Sequence, residues 1–267
     1  MLVSMRSAPD IPYNRVFRIA VVIPAFNEAG HVGQVVQSIP RDLIDDVIVI
    51  DDHSTDETAK ESKRNGATHV APCRSHGVGA AIKTGYVEAL NRGADVVVVV
   101  AGDGQHDPSE IATLVKPILG GTADYVVGDR ITDCEVGKGM PAFRYVGNRL
   151  LSLLTHWTVR FDIKDSQCGF TAATRQALQK FDMSWVSDSW GVPNDFLFEC
   201  ARLGLRVKYA KVSALLGYRH SYIKPASYVP RMVFILARGA LRMVRARTPT
   251  KNGKFGQAKV ASYSESS

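Results

Sequence analysis

The first half of the chain alternates short, fully apolar runs with longer stretches in which apolar and polar residues mix. The apolar runs are rich in valine and isoleucine and too short for helices, which predicts strands buried on both faces of a parallel sheet. We therefore predict four strands, over Phe17–Ile23, Val47–Ile50, Val96–Val100 and Tyr125–Val127.

Helical patterns fill the intervals between these strands. We expect helices that end near Ile39, near Asn65 and near Arg92, and one from Pro108 to about Leu119. Ser54, followed by Glu57, predicts a capping box for the second of these helices. Strands and helices that alternate in this way predict right-handed βαβ units and a mostly parallel, Rossmann-like sheet flanked by helices.

The second half of the chain has longer helical patterns, over Phe143–Trp157, Phe196–Leu203 and the segment after Pro225. In the last segment four arginines are spaced seven, four and three residues apart, so they share one helical face: Arg231, Arg238, Arg242 and Arg245. This pattern predicts a basic amphipathic helix on an anionic membrane surface. The alternative is a helix packed on the domain with its arginines in solvent.

The positive charge is concentrated at the end of the chain. The net charge is +7, but Lys211 to Ser267 hold eleven Lys and Arg and one acid, or +10, which leaves −3 for the rest. A nucleic-acid-binding protein that is basic throughout would not show this division. A local basic patch for anionic lipid or a diphosphate would.

Cysteines and hydropathy indicate the compartment. The four cysteines form no C-x-x-C pair, which favours a reducing compartment over a disulfide framework or a zinc site. We find no signal-peptide pattern, and the apolar runs are far shorter than the roughly 20 residues of a membrane span. We expect a soluble or peripheral membrane protein.

The most informative loop follows the valine strand. It places Gly102, Asp103, Gly104 and Gln105 at the carboxyl end of a buried strand, where open α/β sheets bind ligands. Glycine allows close approach of the backbone, and a carboxylate can hold a divalent cation against phosphate oxygens. The alternative is an acidic loop that only caps the helix after Pro108.

Other polar groups follow the remaining strands and begin the later helices. Asp51 and Asp52 end the second strand, whereas Asp56 suits the first turn of the next helix. Arg144 and Arg149 lie near one helical face, which could be a solvated surface, and Asp195 could simply cap its helix.

Together these motifs resemble those of the family 2 glycosyltransferases, and among them most closely the dolichyl- and polyprenyl-phosphate sugar synthases. The resemblance covers roughly residues 17 to 235 and rests on VVIPAFNE, VIVIDDHSTDET, VVVVVAGDGQHDP, VVGDR, QCGF and VPND. It implies the glycosyltransferase A fold, in which one Rossmann-like domain binds a nucleotide-diphospho-sugar and a divalent cation, Mg²⁺ or Mn²⁺.

The resemblance also implies roles for individual residues. Asp103 and Gln105 would bind the metal and the diphosphate, and Arg130 would bind the phosphate acceptor. The remaining positions that resemble the nucleotide-sugar site are Pro24, Phe26, Glu28, Asp52, Gly102, Arg219 and Lys224. The first aspartate of the family's D-x-D motif is Ala101 in this chain, so the metal would lose one carboxylate ligand.

The expected reaction is inverting transfer of a sugar from a UDP- or GDP-sugar to a polyprenyl or dolichyl phosphate at the cytosolic face of a membrane. A phosphate acceptor needs cations rather than a base, and the candidates are Arg130, Arg144, Arg149 and Arg219. A sugar hydroxyl acceptor would instead need a general base, for which Asp195 is the candidate. The third alternative, suggested by Ala101, is a nucleotide-sugar binder without activity.

The predicted organisation has four parts. Residues 1–15 form a flexible arm, and residues 16–217 form the glycosyltransferase catalytic domain. Residues 218–247 form a basic loop and the membrane-surface helix, and residues 248–267 form a disordered tail.

Overall fold

A computed structural model describes residues 17–72, 76–132, 142–159, 161–189, 191–213 and 225–247. It contains one sheet of seven strands: β1 (Ile19–Ala25), β2 (Asp46–Asp51), β3 (Thr68–Val70), β4 (Val96–Val99), β5 (Tyr125–Asp129), β6 (Thr171–Thr174) and β7 (Val207–Lys211). The helices are α1 (Val32–Ser38), α2 (Thr58–Arg64), α3 (Val78–Asn91), α4 (Ile111–Leu119), α5 (Ala142–Val159), α6 (Arg175–Lys180), α7 (Val192–Leu203) and α8 (Pro225–Arg247).

The strand order is β3-β2-β1-β4-β6-β5-β7. All neighbouring strands are parallel except at β6, which is antiparallel to both β4 and β5. The mostly parallel sheet flanked by helices confirms the predicted fold class. The inner strands have no exposed surface over most of their length, because helices cover both faces.

Three strands and one helix were not predicted. β3 has three residues, and β6 consists of Thr and Ala, so neither shows the apolar run that identified the other strands. β7 lies at the edge of the sheet and alternates half-buried with exposed residues. Helix α6 spans only six residues, fewer than two helical turns.

The predicted capping box is wrong. Helix α2 begins after Glu57, whose side chain makes no capping hydrogen bond. The hydroxyl of Ser54 instead accepts a hydrogen bond from the backbone N–H of Asn27, 2.9 Å away. Ser54 therefore joins two loops rather than starting a helix.

The last three long helices pack on one another, with α7 in contact with both α5 and α8. Contact with α7 is close at Gly239 of α8, where an added Cβ would lie 2.2 Å from the Phe198 ring. Among the residues that the structure describes, no helix has the length and hydropathy to cross a membrane.

The predicted position of the arginine face of α8 is wrong for Arg238 and Arg242. Both point toward the domain, and each guanidinium lies 4.3 Å from the centre of the Trp185 ring. They are neither on a free membrane-facing surface nor in open solvent, because buried carboxylates on α7 attract them. Arg231 remains exposed and bonds to Ser189.

Candidate active site

The site is built where β1, β2 and β4 end side by side. Ala25 pairs with Asp51, and Val22 pairs with Val99, so the loops that follow these strands leave the same edge of the sheet. The sequence predicted this meeting point from the topology of parallel strands, and the structure brings the three loops together there.

Pro24, Phe26 and Glu28 form the first loop. Pro24 is paired within the sheet, and its carbonyl accepts a hydrogen bond from the Gly102 N–H at 3.2 Å. The Phe26 ring is 51% exposed beside this edge, which makes it available to stack on a planar ligand. Glu28 is buried, and its backbone N–H donates to Thr58 at 2.8 Å.

The second loop holds two buried carboxylates. Asp52 accepts hydrogen bonds from the backbone N–H groups of His76 and Gly77, each at 2.9 Å. Asp51 lies 3.0 Å from His69 Nε2. Burial alone would raise the pKa of Asp51, but its hydrogen bonds with Ser54 and His69 outweigh that effect and lower the pKa.

Asp56 lies two residues before α2, and its negative charge is at the start of that helix, as predicted. Its carboxylate accepts from the backbone N–H groups of Ala29 and Thr58, at 3.0 Å each. It therefore links the first and second loops, and the site edge is held together by side chain to backbone bonds.

The third loop is the one that carries Asp103 and Gln105. An added Cβ on Gly102 would lie 3.2 Å from the Pro24 carbonyl, so this position favours glycine. Gly104 has a φ of +73°, which turns the chain sharply. The Asp103 carboxylate then accepts from the Gln105 N–H at 3.0 Å, and both side chains are half-buried.

This loop can provide some of the ligands of a divalent cation, but not a complete coordination shell. Within the described ranges no cluster of three or more His, Cys, Asp or Glu side chains could hold a metal. At this edge Asp103 could supply one carboxylate and Gln105 one amide oxygen. A cation bound through a diphosphate and water, with these two groups, matches the way in which proteins commonly bind Mg²⁺.

Arg130 follows β5 and is fixed by a carboxylate. Its Nε lies 2.8 Å, and its Nη2 3.2 Å, from the two oxygens of the fully buried Asp165. This bidentate pair orients the guanidinium at the end of the strand.

Two further groups beside this pair are held neutral. Burial lowers the pKa of His106 to about 3, and the charge of Arg130 acts in the same direction. Burial raises the pKa of the Cys168 thiol to about 12, so Cys168 is not an activated nucleophile. His106 Nε2 and Cys168 Sγ are 3.9 Å apart, which places the loop of Asp103 against the turn of Asp165.

The turn after Asp165 is tied to two helices. Gln167 Nε2 donates to Asn194 Oδ1 at 2.6 Å, and Asn194 Nδ2 donates to the hydroxyl of Thr155 at 2.7 Å. The hydroxyl of Ser152 accepts from the Ser166 N–H at 3.0 Å. The inner face of α5 and the start of α7 thus support the residue that holds Arg130.

Asp195 lies in a different environment from the one that a general base needs. Its carboxylate has no exposed surface and lies 2.8 Å from Arg238 Nη2. It also accepts from the Ser187 N–H at 2.9 Å. The predicted alternative, a simple N-cap, does not hold either, because Gly191 is the N-cap of α7.

The remaining predicted residues are one exposed arginine and three positions whose side chains the structure does not describe. Arg149 is exposed on α5. Arg219, Lys224 and the side chain of Arg144 lie outside the described residues. Sequence reasoning did not identify Asp165 and Arg238 as partners, since their pairs join residues 35 and 43 positions apart and only the fold brings them together. The sequence indicated such partners only through the segment that begins at Asp165, which is rich in side chains able to form hydrogen bonds.

A glycosyl transferase family 2 model matches residues 20–180, which include the loops of Phe26, Asp52 and Asp103 and the turn of Asp165. The match spans more than half of the chain. The chain belongs to glycosyl transferase family 2. The predicted family is therefore confirmed, and the protein is an enzyme of the transferase class.

Two relatives of this transferase have names that contain dolichyl phosphate or polyprenol. The UDP-N-acetylglucosamine–dolichyl-phosphate N-acetylglucosaminyltransferase of Methanococcus voltae is 35% identical over 60% of this chain and 71% of the relative. The polyprenol monophosphomannose synthase of Mycolicibacterium smegmatis is 31% identical over 65% of this chain and 68% of the relative.

Solved structures similar to the transferase include glucosyl-3-phosphoglycerate synthase of Mycobacterium tuberculosis. Its complex with Mn²⁺, UDP and phosphoglyceric acid has a TM-score of 0.63 and 25% identity, and the match covers 88% of this chain and 80% of that one. This similarity confirms the glycosyltransferase A fold and supports a divalent cation as the cofactor.

Proposed function

We propose that this transferase moves a sugar from a nucleotide-diphospho-sugar to a polyprenyl or dolichyl phosphate at a membrane surface. The donor nucleotide is UDP or GDP, and the two relatives named above support an N-acetylhexosamine or a hexose as the sugar. The proposal adds an acceptor class to the family assignment.

The environment of Asp195 is the observation that carries this choice of acceptor. A hydroxyl acceptor must lose a proton, and Asp195 was the predicted base. A carboxylate with no exposed surface, bound to Arg238 at 2.8 Å, is poorly placed to receive that proton. A phosphate monoester is already an anion at neutral pH and needs no base, so the arrangement favours a phosphate acceptor.

The proposed roles follow from the positions of the side chains. Phe26 would stack on the nucleotide base, with Glu28 and Asp52 beside it, and Gly102 would allow the diphosphate to approach the backbone. Asp103 and Gln105 would hold Mg²⁺ or Mn²⁺, which when bound would stabilise the charge on the departing diphosphate. Arg219 and Lys224 are proposed to add positive charge there.

On the acceptor side, Asp165 holds the Arg130 guanidinium in a fixed direction. We assign to Arg130, with Arg144 and Arg149, the task of bringing the phosphate acceptor toward the donor. An acceptor oxygen would attack the anomeric carbon as the bond from that carbon to the diphosphate breaks, with inversion. The electron pair of that bond leaves with the nucleoside diphosphate, so no proton transfer is required.

The proposed location is the cytosolic face of a membrane. The acceptor is a lipid, and both described cysteines, Cys168 and Cys200, are free and buried, as is usual in a reducing compartment. The four proposed parts of the chain keep the boundaries predicted above, with the catalytic domain over residues 16–217.

A second candidate function is transfer to the hydroxyl of a small phosphorylated acid. The complex with phosphoglyceric acid, which matches 88% of this chain, is the observation that favours it. In that case some other group would have to act as the base.

One experiment separates these two functions. The purified full chain is incubated with labelled UDP- and GDP-sugars, Mn²⁺ and either detergent-solubilised polyprenyl phosphate or phosphoglycerate. Label that enters the organic phase with polyprenyl phosphate supports the proposal. Label that appears only in water-soluble product with phosphoglycerate refutes it.

A further inference from the structure

Helices α5 and α8 expose an unusual amount of apolar side chain. In the described residues, eleven large hydrophobic side chains are exposed, and nine of them belong to these two helices: Val146, Leu150, Leu153, Leu154 and Trp157 on α5, and Val233, Phe234, Leu241 and Val244 on α8. Trp157, at 76%, is the most exposed of the eleven. Isolated exposed apolar residues are normal, but a set concentrated on two helices indicates an interaction surface.

The exposed residues form one stripe on each helix. On α5, Leu150, Leu153 and Trp157 recur at intervals of three and four residues, opposite the buried Ser152 and Thr155. On α8, Phe234, Leu241 and Val244 recur at intervals of seven and three residues, opposite the buried Met232, Ile235 and Met243.

The two stripes lie on neighbouring helices. Helices α5 and α8 contact each other, and both contact α7. Each stripe is opposite the buried face of its helix, so both stripes face outward from the domain. We call the nine exposed residues of the two stripes the apolar face.

Two of the α8 arginines that the structure describes bind to carboxylates of the domain. Arg238 binds Asp195, and Arg242 binds Asp182 at 3.0 Å and Glu199 at 2.7 Å. Both guanidinium groups also lie against Trp185. The helix is therefore amphipathic, but its charged stripe holds it to the domain and its apolar stripe is left exposed.

Each of the two helices that carry the apolar face also has an exposed arginine. Arg149 is exposed on α5 and Arg231 is exposed on α8. In the sequence, residues 211–267, which include α8, hold eleven Lys and Arg and one acid. An apolar surface together with basic residues is the combination that interfacial helices use on anionic lipid.

We infer that the apolar face rests in the interfacial region of an anionic lipid bilayer. The main alternative is a second copy of the chain. An isologous dimer through this face would bring two copies of the same strongly basic helices together, with like charges near each other. An anionic bilayer offers the complementary charge, so the lipid surface is the better match.

The inference also deepens the proposed function, on which this one step rests. The inner side of α5 bonds to Ser166, next to the Asp165 that holds Arg130. The helix proposed to face the bilayer is therefore linked, through Ser152, Ser166 and Asp165, to Arg130 of the proposed acceptor site.

The test measures vesicle binding of the full chain without donor or acceptor. Sedimentation is compared for vesicles of phosphatidylcholine alone and for vesicles with a quarter phosphatidylglycerol. The test variant is F234S/L241S, and the matched control is V87S, which removes an apolar side chain that is 52% exposed on α3, away from the face. We expect binding to the anionic vesicles, unchanged in V87S and at least about tenfold weaker in F234S/L241S.

Unchanged vesicle binding by F234S/L241S, or an equal loss in V87S, would overturn the inference. So would a dimer in light scattering that the double variant dissociates, combined with no binding to vesicles. Thermal unfolding of both variants shows whether a loss of binding reflects loss of the fold. Transfer measured in detergent is independent of vesicle binding, so failure of the surface and failure of the proposed acceptor can be distinguished.

Discussion

Arg238 and Asp195 form a buried ion pair in which one guanidinium nitrogen lies 2.8 Å from both carboxylate oxygens. The carboxylate is fully buried, and the arginine comes from the last helix, 43 residues along the chain. The pair joins α8 to the start of α7 and removes from open solvent the carboxylate that a hydroxyl acceptor would need. This ion pair therefore affects both the stability of the protein and the choice of acceptor.

Replacing Arg238 should destabilise the protein strongly. R238A leaves the buried Asp195 without its cationic partner, and we expect a loss of about 2 kcal/mol in the free energy of unfolding, below the full value for buried pairs because Arg238 is 29% exposed. R231A is the matched control, since Arg231 is exposed and makes a hydrogen bond to Ser189. We expect it to change stability by less than about 0.5 kcal/mol. Urea unfolding measures both, and equal values would contradict the buried-pair account.

Asp195 itself should matter little for the chemical step. D195N keeps the shape of the side chain and can still accept a hydrogen bond from Arg238, so we expect kcat for polyprenyl phosphate to fall less than about tenfold. Removal of a true general base would lower it by about 10²- to 10⁴-fold. Steady-state kinetics below the unfolding temperature decides between these values, and a loss in the larger range would return Asp195 to the role of base.

The proposed metal site can be tested by removing one carboxylate and by adding another. D103A should abolish Mn²⁺ binding in the presence of UDP and reduce transfer by about 100-fold or more, because one carboxylate is lost from a site with few ligands. A101D restores the carboxylate that the family motif has at this position, and should tighten Mn²⁺ binding by about tenfold.

Asp107 provides the control for these two variants. Its carboxylate accepts from the Ser109 N–H at the start of a helical turn and is outside the proposed metal site. D107N should change stability by less than about 0.5 kcal/mol, because Asn caps a helix about as well as Asp, and should leave Mn²⁺ affinity unchanged. Mn²⁺ electron paramagnetic resonance titration with UDP measures all three variants. Weaker binding in A101D, or intact binding in D103A, would show that the cation is held elsewhere.

Two helical glycines should respond oppositely to alanine. At Gly239 an added Cβ would meet the Phe198 ring at 2.2 Å, so G239A should cost about 1–3 kcal/mol. At Gly147, within α5, no atom of the described residues outside the helix's own backbone lies within 4 Å of an added Cβ, so G147A should stabilise by about 0.5–1 kcal/mol through helix propensity. Thermal unfolding of the pair tests whether α8 packs as closely on α7 as described. A neutral or stabilising G239A would contradict it.

Acid should weaken the attachment of α8. Burial alone would raise the pKa of Asp182, but the Ser184 hydrogen bond and the Arg242 charge outweigh it, so the net pKa is lowered. A carboxylate whose pKa is lower in the folded state adds stability above its unfolded pKa, and that stability is lost as the pH falls through the folded value. The loss should occur below about pH 4, and D182N should lose less stability than the wild type between pH 6 and pH 3. An identical loss would refute the contribution of Asp182.

How much could be predicted from the sequence depended on the range of the interactions. Buried strands and the loops that follow them are determined locally by apolar runs and glycines, so the edge that carries Asp52 and Asp103 was predicted correctly. Strands β6 and β7 were missed because small or alternating residues leave no apolar run. The partners of Arg130 and Asp195 depend on how distant segments pack, and no local pattern contains that information.

The arginine stripe of α8 shows the same limit more sharply. Its spacing predicted a common helical face, but spacing does not state what that face contacts. Buried carboxylates at Asp195 and Glu199 attract Arg238 and Arg242 inward, and the apolar side of the helix is left outward. The orientation of an amphipathic helix depends on the charges beneath it as well as on its own pattern.

The most direct test of the proposed function compares two acceptors that differ in a single group. Polyprenyl phosphate and the corresponding polyprenol, in the same detergent, are incubated with the full chain, Mn²⁺ and the labelled UDP- or GDP-sugar that binds best. We expect label in the organic phase with polyprenyl phosphate only, as an acid-labile glycosyl phosphate, because Arg130 receives an anion and no base is available at Asp195. Equal transfer to polyprenol, or transfer to neither lipid while phosphoglycerate is glycosylated, would contradict the account.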